Sequence, residues 1–255
     1  MSQVTQSNKD EAELAKPLLV PIKRRSFFMY AGATAGATAL LLSGCDDDDN
    51  NNTDLQLIDV GSGDTGVLNY AYALEQLEAA FYAQVLTSPY YTGLATVTGT
   101  PAVVAAANAE RQIFLDLALH EKIHVDFFKT ALGDKAIPAL TPDFSAINFA
   151  ERASVLNYAK AFEDLGVSAY NGAGRFIESP ATLTLAGKIV SVEARHAALI
   201  RDLIAPNTFV GDDVVDFSLT SATARQEKSR LPADILRSAN LYLAAGSKLS
   251  ATSLV

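Results

Sequence analysis

The chain has 255 residues, 29 acidic against 20 basic, for a formal charge of −9, a balance that argues against nucleic acid as a partner. Its single cysteine, Cys45, excludes a disulfide within the chain and any cysteine-built zinc or iron–sulfur site. The length suffices for one good-sized core or two small ones.

The first feature in chain order is a targeting segment. Lys23-Arg24-Arg25-Ser26-Phe27-Phe28 sets a twin arginine before an aromatic pair, a mildly apolar stretch covers residues 29–42, and Leu42-Ser43-Gly44-Cys45 closes it. This resembles a bacterial twin-arginine (Tat) export signal joined to a lipoprotein box, without the usual lysine after the aromatic pair. Residues 1–44 then read as a signal peptide and Cys45 as the lipidated first residue of an exported, lipid-anchored envelope protein, periplasmic or surface-exposed. An uncleaved membrane anchor is the alternative, for which the apolar run is short. Residues 45–66 read as an acidic flexible tether, because Asp46-Asp47-Asp48-Asp49-Asn50-Asn51-Asn52 has no means of packing. An acidic run directly after a lipidated cysteine also resembles the surface-export signal of Bacteroidetes lipoproteins.

Four long helices are expected next, over 67–205. The first spans 67–87, and Ser88-Pro89 with Gly93 reads as a loop. The second begins at Pro101, a residue favoured at a helix start, and ends at Gly133. Residues 134–148 hold two prolines and read as an irregular connection. At roughly 3.3 Å per extended residue they can cross the length of a bundle. The third helix covers 149–178 and the fourth 180–205. Residues 206–255 read as an extension packed on the bundle, with a short helix from about Leu231 to Leu243 and too few apolar residues for a core of their own.

The chemistry lies in these helices. Glu121-x-x-His124 and Glu193-x-x-His196 each put a carboxylate and an imidazole on one face of a helix, one turn apart. Both sit on apolar stripes: Ile113, Leu117, Glu121, His124, Phe128, and Leu185, Ile189, Glu193, His196, Ile200. Residues 68–82 and 156–170 repeat each other, matching at 8 of 15 positions. Their stripes read Leu68, Ala71, Glu75, Glu78, Tyr82 and Leu156, Ala159, Glu163, Gly166, Tyr170. Carboxylates on a buried face cost several kcal/mol unless paired or metal-bound. Two lone-glutamate helices and two Glu-x-x-His helices are the ligand set of a di-metal carboxylate site in a four-helix bundle. Carboxylate with imidazole suits iron or manganese, with zinc possible.

The segments LEQLEAAFY, HEKIHVDFF, AFEDLGVSAYNGA and VEARHAALIR resemble the ferritin-like superfamily. More narrowly, they resemble secreted bacterial ferritin-like domain proteins related to plant desiccation-related proteins. The resemblance covers about 67–205 and implies an all-α four-helix bundle. It implies Glu75 and Glu163 as terminal ligands, Glu121 and Glu193 as bridging ligands, and His124 and His196 as one ligand to each metal. Tyr82 and Tyr170 are hydrogen-bond donors to the ligands, electron sources or plain core tyrosines. Glu78 is an extra ligand or a carboxylate on the way in. Asp164 anchors a histidine nitrogen or is a surface acid, and His120 is a surface residue or lies behind a ligand. Two functions follow from the resemblance. One is a di-iron or di-manganese oxidoreductase acting on O2 or H2O2, with ferroxidase, peroxide-removing and manganese-catalase-like activities all fitting. The other is a non-catalytic, lipid-anchored stress or desiccation-related protein whose metals are structural.

Overall fold

The computed structural model describes residues 57–218 and 226–254; the export signal, Cys45 and the acidic run lie outside them. Its helices are α1 (Gly63–Thr87), α2 (Pro89–Leu94), α3 (Pro101–Leu132), α4 (Arg152–Ala173), α5 (Pro180–Ile204) and α6 (Pro232–Ala239). Three of them start on the same local chemistry. Ser88-Pro89, Thr100-Pro101 and Ser179-Pro180 each supply a hydroxyl that accepts a first-turn N–H, and a proline whose missing N–H costs nothing there. The α3 helix stops at Gly133, which takes φ +54°, a left-handed turn that glycine enters without a side-chain clash.

Hydrogen bonds at the helix ends fix the directions. Asn69, near the start of α1, accepts from the Ile137 N–H just past the end of α3, at 2.9 Å. Tyr90, just past the end of α1, donates its hydroxyl to Glu110 near the start of α3. Asp64 accepts from the N–H groups of Glu178 and Ser179 at 2.7 and 3.1 Å, which joins the start of α1 to the turn between α4 and α5. Arg152, opening α4, donates to the carbonyl of Leu203 near the end of α5 at 2.9 Å. So α1 and α5 run one way, α3 and α4 the other. The α1–α3 and α4–α5 pairs pack most extensively, and α1 and α4 join them.

Because α3 and α4 are parallel, the chain between them must travel the length of the bundle. It does so along α1. Asn69 and Gln76 accept from Ile137 and Leu140, and Phe149 accepts from the Tyr90 N–H at 3.3 Å. Its apolar residues Ile137, Phe144 and Ile147 are buried. Phe144 and Phe149 join Phe81 and Phe162 in an aromatic cluster of edge-on and tilted pairs, with Phe81 and Phe162 5.0 Å apart.

The structure departs from the sequence expectations at the edges. The six-residue α2 stands where a loop is expected, because the Ser88 hydroxyl caps it. The first helix begins four residues earlier, at Gly63 rather than 67. Residues 58–66, expected as the end of the tether, belong to the fold instead. Ile58–Asp59 forms strand β1, paired in parallel with β2 (Leu249–Ser250), and Val60 is buried in the core. A two-residue strand pairing with a segment nearly two hundred positions away leaves no local signal. Toward the C-terminus, Ile235, Leu236, Leu243, Leu249 and Leu254 are buried in the same core as the long helices. Gly172 permits this. A Cβ there would fall 1.7 Å from the Arg230 carbonyl oxygen.

Candidate metal centre

Each long helix delivers its carboxylate to the same height. Glu75 from α1, Glu121 from α3, Glu163 from α4 and Glu193 from α5 are all 0 % exposed. Their stripes are otherwise mostly buried; Leu68, Ile113 and His124 are partly buried, and Leu185 at the start of the α5 stripe is 38 % exposed. His124 and His196, one turn beyond their glutamates, close the cluster.

The geometry separates two sets that share two members. Glu75, Glu121, His124 and Glu193 form one; Glu121, Glu163, Glu193 and His196 form the other. Within each, one donor atom per residue lies within 4.8 Å of the rest. Glu121 sends Oε2 to 3.4 Å from His124 Nδ1 and Oε1 to 2.8 Å from His196 Nδ1. Glu193 sends Oε1 to 3.0 Å from His124 Nδ1 and Oε2 to 3.9 Å from His196 Nδ1. Glu75 serves only the His124 side, at 3.0 Å, and Glu163 only the His196 side, at 3.6 Å. All six sequence-expected ligand candidates are therefore brought together, Glu121 and Glu193 in both sets and the other four in one each.

These donors fit a cation better than they fit one another. Both oxygens of Glu121, both of Glu193, Glu163 Oε2 and His196 Nδ1 are buried without a hydrogen-bond partner. Unsatisfied buried charges of this kind are expensive. Burial pushes the Glu75 and Glu78 carboxyls well above their ordinary value, helped by the charge of Glu193. It also raises Glu193, and Glu163 to about 8. Burial acts against protonated histidine, yet the surrounding carboxylates outweigh it and raise His124 to about 12 and His196 to about 10. Glu121, although buried, is lowered to about 2 by the close approach of the His124 and His196 imidazoles. The metal-free cluster thus holds protons where divalent ions would place positive charge.

The tyrosines act across the repeat. Tyr82 on α1 donates its hydroxyl to Glu163 Oε1 on α4, and Tyr170 on α4 donates to Glu75 Oε1 on α1, both at 2.5 Å. Burial holds both phenols well above their ordinary value, so they remain donors. Each fixes one oxygen of a terminal glutamate and turns the other, Oε2, toward a histidine.

Glu78 lies beside the cluster, 3 % exposed, in space that its repeat partner Gly166 leaves open. A Cβ at Gly166 would sit 3.0 Å from Glu78 Oε1 and 3.7 Å from Glu193 Oε2. Glu78 is outside both ligand sets. Asp164 does not reach a histidine. Its two oxygens accept from Arg201 Nε and Nη2 at 2.9 and 2.6 Å, because α5 places the guanidinium against it. The residue behind a ligand is His120, whose Nδ1 is 3.0 Å from His196 Nε2. Its position four before His124, on the neighbouring face of α3, was the available signal.

Fold and site together define a ferritin-like helical bundle with a buried carboxylate–histidine cluster able to hold metal. The ferritin-like domain family matches residues 63–206, and the chain belongs to that family. No curated protein matches the chain significantly.

Proposed function

We propose that the protein is a carboxylate-bridged di-metal oxidoreductase, using iron or manganese to oxidise Fe(II) or remove peroxide in the cell envelope. The observation that carries this reading is the division of labour at Glu121 and Glu193. Each carboxylate directs one oxygen to each histidine, which is what a pair of bridging ligands requires. Glu75 with His124 would hold one ion and Glu163 with His196 the other.

When bound, such a pair would supply two electrons, one per ion, enough to take O2 with two protons to H2O2 or H2O2 with two protons to two waters. The chain's own residues set the conditions for it. Tyr82 and Tyr170 hold the terminal carboxylates in place, and His120 orients the His196 ring. The buried aromatic and aliphatic shell keeps bulk water from the cluster, which strengthens every charge interaction inside. Export and lipid attachment at Cys45 belong to the same reading, supported by the twin arginine and Leu42-Ser43-Gly44-Cys45.

The test is metal content and Fe(II)-dependent O2 consumption of the full chain beside Glu121→Ala. Paired metals with oxidation lost in the variant support the reading. Paired metals without turnover would point instead to ions that staple the bundle, the stress-protein alternative. No stoichiometric metal after reconstitution would sink both.

A further inference from the structure

A second feature adjoins the cluster on the side of the α1 start. There the helices line a narrow, partly open cavity of about 20 Å³, enough for one small molecule, since a water-sized sphere needs roughly 10–15 Å³. Only apolar atoms face this space. Its inner wall includes Ala71, Phe128, Ala169, Tyr170 and Ile189, all buried. Leu185, 38 % exposed, stands at its outer edge.

The wall is tied to the ligands by helix geometry. Ala71 precedes Glu75 by four residues, Ile189 precedes Glu193 by four, and Phe128 follows His124 by four. Each of these three wall residues therefore lies about one turn, ~5.4 Å along its helix, from a member of the cluster. Tyr170 joins the two directly: its ring lines the cavity and its hydroxyl bonds Glu75. A molecule in the cavity is one helical turn from the buried carboxylates, with no polar layer in the cavity itself.

We propose that this cavity is a dioxygen site that feeds the cluster. Water and H2O2 would each lose their hydrogen bonds there, a cost of about 2–7 kcal/mol per polar group in a fully apolar surrounding. Small apolar cavities of this kind stay dry and take up apolar guests, xenon among them. Dioxygen is apolar and small, and gives up no hydrogen bond on entering. The cavity thus favours O2 over H2O2 as the oxidant. This deepens the oxidoreductase reading and rests on it only for what O2 does after leaving the cavity.

The experiment has two readouts. Crystals of the full chain pressurised with xenon should show a xenon atom among Ala71, Phe128, Ala169 and Ile189. Ala169→Leu, which fills the space from within, should exclude it. Leu185→Phe, at the half-exposed edge, serves where the core variant fails to fold. In the variant that excludes xenon, the KM for O2 in Fe(II) oxidation should rise several-fold. Metal content and the rate with H2O2 as oxidant should not change. Ordered water or empty density in the xenon-pressurised cavity overturns the proposal, and so does an unchanged KM for O2 in a xenon-excluding variant. Metal content measured on the same samples keeps the two readings apart. A chain without stoichiometric metal defeats the oxidoreductase reading, while xenon occupancy still decides the cavity.

Discussion

Tyr82 donates its hydroxyl to Glu163 across the bundle at 2.5 Å, and the repeat returns the bond from Tyr170 to Glu75 at the same distance. The sequence duplication is therefore also a duplication of chemistry, with each copy securing the central glutamate of the other. Removing such an outer partner typically weakens metal affinity about 10–100-fold. Tyr82→Phe should do so on the His196 side and Tyr170→Phe on the His124 side. Competition titrations with Mn(II) or Zn(II) read this directly, since the fold keeps the ring in both variants.

The shared carboxylates make a sharper claim. Glu121 and Glu193 belong to both ligand sets, whereas Glu75 and Glu163 belong to one each. Glu121→Ala or Glu193→Ala should abolish stoichiometric binding of both ions. Glu75→Ala should cost the His124-side ion and retain the other, and Glu163→Ala should do the reverse. Metal analysis of the four variants after reconstitution checks the pattern; equal losses in all four would remove the distinction between shared and terminal ligands.

These ligands were legible because their signal is local. A Glu-x-x-His pair on an apolar stripe declares its face of the helix within one turn, and the repeat singled out Glu75 over Glu78 by aligning it with Glu163. The same locality located the four long helices, two of which, α3 and α5, start on a capping hydroxyl and a proline. What stayed hidden depends on partners far along the chain. Asp164 looks like a neighbour for the adjacent ligand layer, yet Arg201, 37 positions on, captures both of its oxygens. The β1–β2 pairing joins residues 58–59 to 249–250. The His120–His196 contact spans two helices, and spacing along α3 alone cannot tell whether a fourth-residue neighbour faces a ligand or water.

The protons held in the metal-free cluster give a pH dependence whose sign is fixed. Glu75, Glu163 and Glu193 are raised in the folded state, so above the ordinary carboxyl value folding requires them to keep protons that the unfolded chain releases. That cost grows until Glu163 itself ionises near 8. His124 and His196 are raised too. Their contribution is complete below the ordinary histidine value and is lost as pH rises toward about 10, where His196 titrates. Both effects have one direction: the metal-free fold should lose stability as pH rises from about 5 to 9. Metal binding displaces these protons, so the stabilisation by added Mn(II) should grow over the same range. Thermal melts with and without chelator at several pH values test both slopes.

Arg201 provides the last prediction, because it couples the extension to the bundle without touching the metal ligands. Its guanidinium is only 5 % exposed. It is held by Asp164 on α4 and by Asp213 beyond α5, the latter through Nη1 at 3.0 Å and Nη2 at 2.9 Å. Lys160 adds a second bond to Asp213 at 2.9 Å. Removing one partner of a well-buried ion pair costs about 3–5 kcal/mol. Asp213 is half exposed, so solvent screening lowers the expectation for Arg201→Met to about 2–3 kcal/mol. The variant leaves Asp164 partly buried and unpaired, and a double variant Arg201→Met with Asp164→Leu should recover part of the loss. Urea unfolding measures both, and metal stoichiometry should stay at the parent value in each. If Arg201→Met instead released the metals, the ion pair would be supporting the ligand layer rather than fastening residues 206–216 to the bundle.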